Sequence, residues 1–237
     1  MKKAAIIIAS VVGLLFAGLL GYIFWLNYGL WAIAVWAAMI LALPFSSLMH
    51  ELGHMLFGSI CKIKAVPKFK LFGSSCCELI PKTDKNLKWR LIFTSRGGLI
   101  INVLLFILGQ IALSCAAVPV WLALFMPANI YLYILNDFPV ELSGGKTDGL
   151  VSWELYTETD NVKVLIAVLT VQARVLKGTP IEQIDRELLF GVPQIQEDDP
   201  AFISLTELRY EYFNALGDTE NAEKYKARFE ELKKEYM

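Results

Sequence analysis

Between residues 97 and 136 the chain has no Asp, Glu, Lys or Arg, and this uncharged run limits the possible folds more than any other feature. So long a stretch with no charged face belongs in a large core or in lipid. It is one part of a strong segregation of charge. Residues 1–60 carry Lys2 and Lys3 against Glu51, and residues 61–96 carry nine basic groups against two acidic ones. Residues 137–237 carry eleven basic and twenty acidic groups, so the net charge of -1 conceals a basic loop and an acidic tail. With 56% hydrophobic and 19% charged residues, the balance is that of a membrane protein. The pattern predicts a membrane-embedded domain over residues 1–150 and a cytosolic helical domain over 151–237. No nucleic-acid motif is present.

Residues 4–26 form an uncharged segment of the length a bilayer requires. That segment is too long for the core of a secretory signal, and no small-residue cleavage site follows it. It is therefore expected to stay as an anchor. Further spans are expected over residues 30–60, 91–117 and 121–135, the last two separated by Pro119. The lysine-rich segment 61–90 belongs in the cytoplasm by the positive-inside rule, and Lys2 and Lys3 point the same way. Four spans then leave both termini cytoplasmic. The expected class is mainly α: a polytopic α-helical membrane protein with a helical cytosolic tail.

Both histidines of the chain lie in one string, His50-Glu51-Leu52-Gly53-His54, near the end of the second expected span. On a helix, residues four apart share a face, so both imidazoles can reach one metal ion. The adjoining Glu51 suits a general base, and H-E-x-x-H is the zinc-hydrolase pattern. The bland alternative, a histidine pair capping a membrane helix at the interface, gives no structural benefit for burying imidazoles in lipid. Pro44 is expected to kink the helix and open room beside the site. The cysteines at 61, 76, 77 and 115 show no disulfide framework, and adjacent Cys76 and Cys77 read as a reduced pair.

Three separated pieces resemble the site-2 protease family of intramembrane zinc metalloproteases. They are the histidine string, Gly97-Gly98-Leu99-Ile100-Ile101-Asn102, and Asn136-Asp137-Phe138-Pro139 followed by Asp148-Gly149. The resemblance covers about residues 30–150. It implies Zn2+ held by His50, His54 and a third ligand, Asp148, with Asp137 and Glu141 as local competitors. It also implies Glu51 as the base and Asn136, Pro139 and Asn102 as substrate-binding residues. Thr147 before Asp148, and the linker 140–146, depart from the shorter apolar approach usual in the family. The implied substrates are membrane-spanning or membrane-associated peptides. Residues 66–80, which alternate apolar and basic side chains before a turn at Gly73-Ser74-Ser75, read as an interfacial β-hairpin. It is suited to pair with an unwound substrate or to rest on anionic lipid.

The tail carries three start signals. Thr179-Pro180-Ile181-Glu182 has the form of a capping box. Asp199-Pro200 opens a helix that ends at Gly217, and Asp218-Thr219 caps a last helix to about Tyr236. Residues 162–176 are too short and too charged for another span. The pair over 200–236 resembles a single tetratricopeptide-like unit, which must pack on the preceding helices or on a protein partner. The expected activity is intramembrane zinc endoproteolysis near the cytoplasmic leaflet. The alternatives are a non-enzymatic zinc-containing scaffold that recruits partners through its tail, and a membrane-anchored protease of soluble peptides.

Overall fold

A computed structural model describes residues 29–68, 76–114, 125–142 and 145–236, with scattered positions between 7 and 26. The chain is mainly helical, with two small two-stranded sheets among the described residues. It divides into two compact units. One comprises Met1–Cys61, Ala65–Glu78 and Ile92–Trp153; the other comprises Lys62–Lys64, Leu79–Leu91 and Glu154–Met237. The second unit thus takes in residues 62–64 and 79–91 as well as the C-terminal part of the chain.

In the first unit, a 3-10 turn at Gly29–Trp31 leads into helix α1, Ala32–Ile60, which carries Pro44 and both histidines. Lys62, with φ of 57°, takes a left-handed turn after the helix and redirects the chain into β1, Ile63–Lys68. Strand β1 pairs with β2, Cys76–Pro81, so the expected hairpin strands form, with the first starting earlier than residue 66. Its Gly73-Ser74-Ser75 turn lies outside the described residues. Helix α2, Leu87–Ser114, begins a turn before the predicted residue 91, after Asn86 at φ 52°. Its segment Leu87–Ile111, with mean hydropathy 2.0, is the one described helix long and apolar enough to cross a membrane. Helix α3 runs Phe125–Asp137. Most of residues 4–26 and all of 115–124 lie outside the described set, so the expected first span and the start of the fourth do too.

The linker after α3 forms a minute antiparallel pair, β3 (Glu141–Leu142) with β4 (Gly145–Lys146), in which Glu141 faces Lys146. This fold-back returns the chain to Val140, where the Thr147 N–H donates to the Val140 carbonyl at 3.1 Å. Helix α4, Asp148–Thr157, starts there.

The second unit is built from α5 (Asp160–Leu176), α6 (Arg186–Phe190), α7 (Pro200–Leu216) and α8 (Thr219–Tyr236). Val164, Val168, Val171, Leu189, Leu205 and Tyr212 form its apolar core. Asp199 caps α7 by accepting from the Ala201 N–H, and Gly217 at φ 74° closes it in the left-handed conformation that glycine adopts without strain. The α7–α8 pair therefore forms as predicted and packs on α5 and α6. Arg209 lies over the rings of Phe190 and Tyr225 and donates to the Leu189 carbonyl at 2.7 Å. The predicted capping box at Thr179 does not form. Only a 3-10 turn, Ile181–Gln183, follows Pro180, without a side-chain cap bond. Asp185 supplies the cap instead, accepting from the Glu187 N–H, so the helix starts six residues later than the Pro180 signal implied.

Candidate metal centre

His50 and His54 sit one above the other on α1, both buried, with Glu51 buried beside them. Asp148, the first residue of α4, reaches the same point. Its Oδ2 lies 2.9 Å from His50 Nε2 and 3.3 Å from His54 Nε2, and the two Nε2 atoms are 3.1 Å apart. Among the described residues these three form the one group of His, Cys, Asp or Glu able to share a metal ion. Of the competitors, Asp137 pairs with Arg96, and Glu141 is an exposed strand residue.

The outer nitrogens decide what the inner ones are. His50 Nδ1 lies 2.5 Å from Asn102 Oδ1, and Asn102 Nδ2 in turn donates to Asn129 Oδ1 at 2.9 Å. That leaves Asn102 Oδ1 as the acceptor, so His50 carries its proton on Nδ1. His54 Nδ1 lies 2.9 Å from the Thr94 carbonyl oxygen, which can only accept, so its proton is on Nδ1 as well. In the neutral state both Nε2 atoms are bare lone pairs, and Asp148 Oδ2 is a buried oxygen with no hydrogen-bond donor. Three such acceptors within 3.3 Å repel one another unless a metal ion lies between them or a proton on one Nε2 bridges to the carboxylate. Tetrahedral zinc with bonds of about 2.0–2.1 Å sets its ligands about 3.3 Å apart, so the donor set fits it closely.

Glycines let these groups meet. A Cβ on Gly98 would stand 2.6 Å from the His50 ring, and one on Gly53 would stand 2.6 Å from the Gly97 carbonyl oxygen. Helices α1 and α2 therefore touch backbone to backbone at the motif, as small residues allow in membrane packing. A Cβ on Gly149 would lie 2.0 Å from the Asp137 carbonyl oxygen, so this glycine seats the start of α4 against the end of α3. Thr147, in the position of the family departure, binds the same junction together. Its hydroxyl donates to the Phe138 carbonyl at 2.7 Å and accepts from the N–H groups of Val140 and Leu150. Ser95 and Ser152, 2.9 Å apart, tie α2 to α4.

No family model, curated protein or solved structure matches this chain.

The predicted substrate-binding residues differ in their settings. Asn102 is fully buried and engaged with His50. Asn136 is half-buried and donates to the Leu132 carbonyl of its own helix, while Pro139 is exposed. Sequence reasoning passed over Asn129, which stands out as a lone amide in the apolar segment 119–135. It also left Cys77 without a role, yet the Cys77 thiol donates to Glu51 Oε2 at 3.0 Å and brings β2 alongside that carboxylate.

Proposed function

We propose that this chain is a multi-pass integral-membrane zinc metalloendopeptidase of the site-2 protease type, cleaving transmembrane or membrane-associated peptides near the cytoplasmic leaflet. The observation that carries the reading is the convergence of His50 Nε2, His54 Nε2 and Asp148 Oδ2 beside buried Glu51. A zinc ion held by these three groups would supply a Lewis acid and bring water to a pKa of about 7. Glu51 takes the proton of the attacking water and passes it to the leaving amine. The Asn102 amide and the Thr94 carbonyl keep the imidazoles oriented with Nε2 inward, so Asn102 acts on a ligand rather than on substrate. Asn136 and Pro139, at the more open end of α3, remain the groups assigned to substrate.

A helical substrate must unwind before its carbonyls can be attacked. Strand β2 passes Glu51 through Cys77, and each strand of a two-stranded sheet has an outer edge. An extended peptide added to that edge runs past the base. The membrane setting is supported by the apolar helix Leu87–Ile111 and by the outward Ile and Leu side chains of α1 and α2. Cytoplasmic termini follow from the charge pattern alone. A zinc-holding scaffold, the competing reading, has no use for a carboxylate buried next to the ligands.

The test compares membrane proteomes of cells carrying the wild type and Glu51→Gln. Uncut membrane peptides accumulate in the variant, whose zinc content is unchanged. Identical proteomes, with the variant supporting the same phenotype, would sink the protease reading in favour of the scaffold.

A further inference from the structure

We infer that Asn129 is a positioning residue that holds His50 in its metal-binding tautomer, acting through Asn102 across three helices. The inference rests on the metal centre proposed above and deepens it. His50 belongs to α1, Asn102 to α2 and Asn129 to α3, and the three are joined by two hydrogen bonds of 2.5 and 2.9 Å. Asn102 is 0% and Asn129 1% exposed, so no solvent stands in for either partner.

A carboxamide is ambiguous in a way that a carboxylate is not. Turned one way, Asn102 offers Oδ1 to His50 Nδ1–H and leaves Nε2 free for a metal. Turned by 180°, it offers an N–H to Nδ1 and drives the imidazole proton onto Nε2, where it blocks the site. His50 by itself cannot select between these, because the imidazole can match either face of the amide. Asn129 Oδ1 weights the choice: it accepts from Nδ2 of Asn102, so Asn102 cannot turn alone without setting oxygen against oxygen in a buried place, and the wrong tautomer requires both amides to turn together. His54 needs no such device, because the Thr94 carbonyl that receives its Nδ1–H cannot reverse. The ligand whose partner can flip is thus the one backed by a second amide.

Zinc affinity of the purified full-length protein, measured by chelator competition, tests this. Asn129→Leu keeps the shape but removes the acceptor, and it weakens zinc binding by about 10–100-fold, the range of supporting residues around metal ligands. Adding Asn102→Asp restores affinity, because a carboxylate presents only acceptors to His50 whatever stands at position 129. A purely structural role for Asn129 predicts no such rescue. Asn129→Asp, which can still accept, retains affinity, and it carries the test by itself if the leucine variant does not fold. Undiminished binding by Asn129→Leu, failure of Asn102→Asp to restore it, or loss of binding in Asn129→Asp overturns the relay. Wild-type protein that binds no zinc, or binds it without need of His50, overturns the metal centre itself. Wild-type binding with an unaffected leucine variant overturns the relay alone.

Discussion

The two units of this chain differ in how much polar side chain they bury. The first encloses His50, Glu51, His54, Asn102, Asn129 and Thr147, while Leu41, Phe45, Leu56, Leu104 and Leu108 point outward. The second encloses Val164, Val171, Leu189 and Leu205, and its surface ion pairs include Arg228 with Glu197 and Glu231. Burial in the second follows the hydrophobic effect in water. In the first, apolar exteriors on this scale fit lipid, where polar groups gain by turning inward to one another. The polar groups around the candidate metal centre are thus also what organises the interior that holds them. On the proposed function, replacing one of these buried polar groups removes activity, whereas replacing a buried polar group of the second unit removes little.

The largest contrast follows directly. Asp148→Ala deletes one of three convergent donors, so zinc content falls to background and proteolysis is lost. Thr206→Val makes the opposite case: Thr206 is more deeply buried than Asp148, but its hydroxyl only donates to the Phe202 carbonyl of its own helix at 2.9 Å. Its replacement costs about 1 kcal/mol and leaves zinc content untouched. Metal analysis and thermal melting of the two variants decide the matter. Zinc retained in Asp148→Ala would break the comparison at its centre.

Exposed leucines give the next largest effect and test the two solvents. Leu108 of α2 and Leu216 of α7 are exposed to a similar degree, 59% and 52%. Leu108→Lys places an ammonium in the apolar segment and disfavours membrane insertion by about 2.5–3.5 kcal/mol. Leu216→Lys stays within about 0.5 kcal/mol of neutral. A glycosylation-tag insertion assay reads the first and melting of the full chain reads the second. Equal tolerance of both would mean that both units face water.

A finer effect comes from Gly98→Ala, whose Cβ would press on the His50 ring at 2.6 Å. Zinc affinity drops about 10–100-fold as the ring tilts away from Asn102, a loss of the size expected when a ligand's outer partner is disturbed. Gly18, by contrast, has nothing within 4 Å of its Cβ position, and Gly18→Ala leaves affinity unchanged.

What was legible in the sequence follows the range of each interaction. The His50/His54 face, the Asp199 cap and the Gly217 stop are local, set within one or two helical turns, and each reads from spacing alone. Asp148 stood level with Asp137 and Glu141 until the resemblance favoured it. In the fold the contacts of Arg96 with Asp137, and of Gly149 with the Asp137 carbonyl, keep Asp137 outside the cluster. Asn129 and Cys77 act across 27 and 26 residues of chain respectively. Periodicity carries no trace of such partners, although a single amide inside an apolar run was itself a signal. The Thr179 capping box misled because Asp185, a few residues on, is an equally good cap and the extended backbone of Ile184 separates the two.

The smallest effect lies in the second unit, where charge does structural work near water. Asp84 accepts from Lys177 at 2.7 Å and from Arg174 at 3.2 Å, tying the segment before α2 to the end of α5. The Lys177 ammonium above all, with the Arg174 guanidinium, lowers the carboxyl from 3.8 to about 2. The unfolded chain therefore binds this proton more readily than the folded one. The contribution of Asp84 is complete above about pH 4 and is lost as pH falls toward 2. Because all three groups are partly exposed, salt weakens the effect. Hydrogen exchange along α5 of the full chain is the measurement: protection of its last turn declines between pH 4 and 2 in the wild type. In Asp84→Asn that turn is less protected at neutral pH and shows no further step in the same window. A wild-type step of equal size in the asparagine variant would assign the acid sensitivity to other carboxylates.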